Sequence, residues 1–196
     1  MDFNRIINGM RRAIRLDKTF FEEVEHDTSY NQDALGVVII VAVIGSIGSF
    51  LGALISGAGV LAAIAGLIIG LLLAIAGYYL WVFVAHWIGT QFFKGIGDRG
   101  EVQRALGFAY APQALNILSF IPCLGGIIAL VAWIWSIAAA FVAIRQSLDQ
   151  DDTNAALTVI ISGIAVMIVV GLISAIFAGL GLGMAALTGA LGGIGQ

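Results

Sequence analysis

Five stretches of this chain are apolar for long enough to cross a lipid bilayer, and no other feature narrows its fold so far. They cover residues 34–55, about 60–86, about 102–118, 124–144 and 157 to about 179. A crossing helix needs about 20 mostly apolar residues for a hydrocarbon layer of roughly 30 Å. Inside that layer no water satisfies the backbone, so helices are the economical solution for runs of this length. The third run is the shortest and the most polar. With 60% hydrophobic and 11% charged residues and a mean hydropathy of +1.03, the chain lies well outside the range of soluble domains, about 45–50% and about 25%. The expected fold class is all-α, a polytopic membrane bundle of five transmembrane helices at residues 34–179. A 33-residue N-terminal segment precedes it and a glycine-rich tail, residues 180–196, follows.

The cations set the orientation. Arg5, Arg11, Arg12, Arg15 and Lys18 precede the first run, Lys94, Arg99 and Arg104 lie between the second and third, and Arg145 follows the fourth. Positive side chains stay on the cytoplasmic side. With five crossings all nine fall on one face, which places the N-terminus in the cytoplasm and the C-terminus outside. The twelve acidic residues fall on the same face. Removing the third run would put Arg145 outside, so the charge count favours keeping it. A net charge of -3 gives no nucleic-acid footprint, and no nucleic acid is expected as a partner. One cysteine and no Asn-x-Ser/Thr site leave the redox compartment open.

The first 33 residues do not read as a secretory signal, since they carry seven acidic residues and no compact apolar core. Phe3, Ile6, Ile7, Met10 and Ile14 recur at helical spacing with Arg11, Arg15 and Lys18 on the other side. This pattern predicts an amphipathic helix lying in the cytoplasmic interface, where the basic residues meet anionic lipid, or packing beneath the bundle. The acidic run at 22–27 reads as a solvated linker.

The third run, GFAYAPQALNILSFIPCLGG at 107–126, holds both prolines and the only cysteine. Pro112 lacks an N–H and crowds the carbonyl of Phe108, which predicts a kink in the helix. Tyr110, Gln113 and Asn116 recur every three residues along one side, and polar groups in hydrocarbon need partners inside the bundle. The stripe is either interhelical glue or a polar passage. In both cases this helix is central and shielded by the others.

Other candidates are weighed by their context. Trp81, His86 and Trp87 end the second run and read as an interfacial belt, with tetrapyrrole or haem ligation at His86 as a faint alternative. No metal, cofactor or catalytic residue is expected, because no serine, histidine and acid triad and no intramembrane carboxylate pair can be assembled. Residues 95–100 have the letters G-x-G-x-x-G, but no strand precedes them, so a flexible loop is expected. Asp149, Asp151 and Asp152 lack the glycine and glutamate of a calcium loop, and residues 151–153 are expected to cap the fifth helix. Gly48 and Gly52, and Gly66 and Gly70, make two G-x-x-x-G pairs that predict close packing of the first two crossings. The tail either extends the fifth helix, lies on the outer surface or contacts another subunit.

The order of elements and the stretch GEVQRALGFAYAPQALNILSFIPCLGGIIALVAWIWSIAAAFVAIRQ resemble the Yip1 domain family of five-span membrane proteins. Gly107, Tyr110 and Pro112, the Ile-Pro-x-Leu-Gly at 121–125 and the Ala-Trp-Ile-Trp at 132–135 carry the resemblance, which covers about residues 10–177. It implies a bundle with a cytoplasmic N-terminus. Eukaryotic members act in vesicle traffic and bind small GTPases through a longer N-terminal region with an Asp-Leu-Tyr-Gly-Pro motif. That motif is absent here. The short N-terminus is similar to that of prokaryotic members, which implies a prokaryotic cell membrane and no settled activity. The function expected is that of a non-enzymatic scaffold or accessory subunit acting through lipid, self-association or other membrane proteins. A small-solute channel or transporter along the polar stripe is the alternative.

Overall fold

In a computed structural model, residues 3–57 and 59–192 are described. Ala58, inside the turn expected at 56–59, and the last four residues of the tail lie outside the described residues. The chain folds as α1 (Phe3–Ile14), α2 (Lys18–His26), a 3-10 turn (Thr28–Tyr30), α3 (Asn31–Ile55), α4 (Val60–Phe92), α5 (Arg99–Ala109), a 3-10 helix (Ala111–Phe120), α6 (Gly125–Ser147) and α7 (Asp152–Gly192). Among the described residues there is no strand, and four helical stretches are long and apolar enough to cross a membrane: Thr28–Ile55, Val60–Phe92, Gly125–Ser147 and Asp152–Ile173. The backbone of α7 continues through most of the glycine-rich tail.

The third apolar run departs from expectation. It is not one kinked α-helix but α5 followed by a ten-residue 3-10 helix with Pro112 in its first turn. Pro112 has no N–H for the Phe108 carbonyl, which accepts instead from the Tyr110 N–H. The helix then rewinds with i to i+3 bonds, beginning with Gln113 N–H to Tyr110 O at 2.9 Å. The combined segment keeps step with α3. A Cβ on Gly107 would stand 2.8 Å from that of Ala34, Gly45 faces Asn116, Gly48 rests on the backbone of Asn116 and Ile117, and Gly52 faces Phe120.

Helices α3 and α4 pack on each other as expected, but those contacts correct the part the glycines play. Gly48 and Gly52 admit the 3-10 helix rather than α4. A Cβ on Gly66 would meet nothing within 4 Å, and one on Gly70 would lie 3.7 Å from Ser46 Oγ. The physical reason is the close approach at Gly48, where a Cβ would stand 2.5 Å from the Asn116 carbonyl oxygen and 3.1 Å from that of Ile117, whereas the α4 glycines face no backbone so near.

The charged segments gather at one end. Residues 18–26 are helix α2 rather than a solvated linker. Asp17 accepts from the N–H groups of Thr19 and Phe20, and Phe20, Phe21 and Val24 are buried. Phe20 stacks edge-on against Phe108 at 5.0 Å, while Ile6 and Met10 of α1 join the same core. Asp98 and Glu101 form a capping box at the start of α5, and Asp151 caps α7 as expected. The Gly95–Gly97 loop lies on the turn after α6, where Ile96 N–H donates to Leu148 O at 3.2 Å and a Cβ on Gly97 would collide with the Ser147 carbonyl. Close backbone approach, not nucleotide binding, accounts for these glycines. Arg145 pairs with Asp152 at 2.7 Å across the same turn. At this end the large buried side chains Phe20, Phe21, Leu106, Phe108, Ile144 and Leu148 form the tight part of the core.

Candidate functional site

A 3-10 helix has three residues per turn, so side chains at i and i+3 eclipse. Tyr110, Gln113, Asn116 and also Ser119 therefore stand in one column. They form one wall of a cavity of about 420 Å³, faced by Ser46 and Ser49 of α3 and by Gly66, Gly70 and Ala74 of α4. The small α4 residues, expected to close a helix pair, instead leave room in front of the polar column. Asn116 Nδ2 donates to Gln113 Oε1 at 2.6 Å, a bond between two side chains of the column. Among the described residues no carboxylate, histidine or cation lines the chamber.

A second cavity, about 620 Å³, opens on the other side of the same residues, between α4, α6 and α7. Tyr110 and Gln113 line both. Trp81 is turned inward here rather than held in an interfacial belt. Its Nε1 donates to Ser162 Oγ at 3.1 Å, and its ring meets Tyr110 edge-on at 5.8 Å. Tyr78, fully buried, packs against Tyr110 at 5.6 Å and donates its hydroxyl to Gln103 O at 2.7 Å, which ties α4 to α5. Trp87 stays exposed with its edge against Phe92, and His86 is half-buried and lines neither cavity. Among the described residues no three histidine, cysteine or acidic side chains converge as metal ligands.

The remaining candidates belong to the charged end. Arg5 pairs with Asp33 and lies over Tyr30 at 4.5 Å. Arg12 reaches Asp17 and Glu23, each at 2.8 Å, and these two ion pairs and the Thr19 hydroxyl hold the cluster together. Arg12 first, and then Thr19, hold Asp17 down at about 2. Arg11, Arg15 and Lys18 are exposed. Sequence reasoning missed two residues here. Buried Arg104 donates to the carbonyls of Val24 and Glu25 and to Asn31 Oδ1, joining α5 to the α2–α3 connection. Glu25 is 5% exposed, with one carboxylate oxygen 3.3 Å from His26 Nε2 and the other lacking a hydrogen-bond partner among the described residues. The only available signal was the i, i+1, i+4 spacing of Phe20, Phe21 and Val24, which puts Glu25 beside the buried face of a helix.

The Yip1 domain family model matches residues 15–175. No curated protein and no solved structure matches the chain.

Proposed function

Because the chain belongs to the Yip1 domain family, we propose that it is a non-enzymatic multi-pass membrane protein that holds a small uncharged solute in the chamber beside Gln113 and Asn116, as a channel or transporter. The carrying observation is that an amide and hydroxyl column faces an open cavity of about 420 Å³ inside a largely apolar bundle. Five crossings with a cytoplasmic N-terminus fit the contacts. Eleven α and ten 3-10 residues extend about 36 Å, enough for the hydrocarbon layer, and they rise beside α3 along most of its length. On this reading the charged end is cytoplasmic, and Arg11, Arg15 and Lys18 present α1 to anionic headgroups. In proteoliposomes, solute flux is expected to fall about tenfold in Gln113→Leu or Asn116→Leu, each of which removes roughly one hydrogen bond. Flux indifferent to both would reject the chamber.

An accessory or scaffold role is favoured by a different observation. Only 6% of the crossing window of α4 is buried, against 39% for α6, and Leu61, Ile64, Ile68 and Leu72 stand outward on it. A second copy or another membrane protein would cover this row. Mass measurement in mild detergent is expected to give more than one chain, and a lone monomer would remove the role.

A further inference from the structure

The two cavities differ in chemistry and share a partition. Tyr110 and Gln113 stand between them. On one side are the side chains of Ser46, Ser49, Asn116 and Ser119. On the other the lining is mostly hydrocarbon, with Ile137, Ile160, Ile164 and Val170 foremost, and the buried Ser136 hydroxyl, without a hydrogen-bond partner among the described residues, is a lone polar point on it. The apolar side is held open. Ser162 fixes the Trp81 indole, and a Cβ added at Gly77, Gly163 or Gly171 would meet nothing within 4 Å. Both volumes, about 420 and 620 Å³, lie in the ordinary range for small-molecule sites, roughly 300–1,000 Å³.

Among the described residues neither wall offers a counter-charge, so a phosphate or carboxylate head would enter unpaired and is disfavoured. A purely polar solute would leave the apolar cavity unfilled, and a pure hydrocarbon would leave the Gln113 and Asn116 amides unsatisfied. We propose that the ligand is an uncharged amphiphile, a lipid-like molecule whose hydroxyl- or ester-bearing head occupies the polar chamber while its hydrocarbon chain fills the cavity between α4, α6 and α7. This rests on the chamber reading above and narrows its solute to one that carries a tail.

The test uses the full-length protein, delipidated in detergent and titrated by native mass spectrometry. The probes are monoolein, oleate with the same chain and a charged head, and glycerol with the head alone. A single monoolein adduct is expected, at least about tenfold favoured over oleate, with no glycerol adduct; Gln113→Leu weakens it about tenfold. Gly163→Leu, which fills the apolar cavity, abolishes it. Equal binding of oleate, or an adduct insensitive to both substitutions, would overturn the proposal; the head-group comparison needs only the unaltered protein. Absence of a monoolein adduct in the unaltered protein, with the Gln113-dependent solute flux intact, would retain the chamber and reject the amphiphile.

Discussion

Glu25 and Asp17 are eight positions apart in sequence and respond to opposite environments. At Glu25, burial first pushes the carboxyl up to about 7 from its ordinary 4.5; His26 opposes this, while Asp149, Glu101 and Glu22 add to it. Below pH 4.5 the folded and unfolded chains both carry this proton and the site imposes no penalty. Between 4.5 and about 7 the unfolded chain releases it first, so stability falls as pH rises, and the penalty is complete above about 7. Asp17 has the reverse sign. Its stabilisation is present above its ordinary 3.8 and is lost as pH falls through about 2, outside the window in which Glu25 acts. Glu25→Gln is therefore expected to raise the thermal midpoint in detergent by about 4 °C at pH 8 and to leave it unchanged at pH 4. An equal shift at both values would show that the site is insensitive to its proton.

Among the elements, the four long crossings were legible because their signal is additive: each long apolar run points to a spanning helix whichever residue lies at a given position. The third run was legible as central but not as 3-10. In an α-helix a step of three residues advances 300°, so Tyr110 and Asn116 would drift apart; in a 3-10 helix they stay in line. The same spacing extends to Ser119, which the α-helical reading left out. Helix α2 was hidden by its acidic letters, although Asp17 as cap and buried Phe20, Phe21 and Val24 mark it. The glycines at 48, 95 and 97 were legible as small residues only. What each admits lies about 50 to 70 positions away along the chain, and such an approach leaves no local trace. Trp81 was read from its place near the end of an apolar run, whereas Ser162 on α7 decides which way it faces.

At the scale of the whole molecule, the tight core and the charged segments share one end, and the turn before α6 lies at the other. Cys123, the only cysteine, is exposed in that turn. With five crossings and a cytoplasmic N-terminus, a membrane-impermeant maleimide added to intact cells is expected to label Cys123 from outside. Labelling only after lysis would invert or reduce the crossings. The molecule is thus firm where its loops interlock and roomy toward Cys123. The ten-residue segment Ala111–Phe120 links the two regions, and its winding gives it an unusual mechanical property. Rewound as α-helix it would shorten by about 5 Å and fan its column of side chains around the axis. A pull or twist on that one strut would change the height of the cavity wall and erase its polarity together, so length and chemistry are geared to each other along a single stretch of backbone.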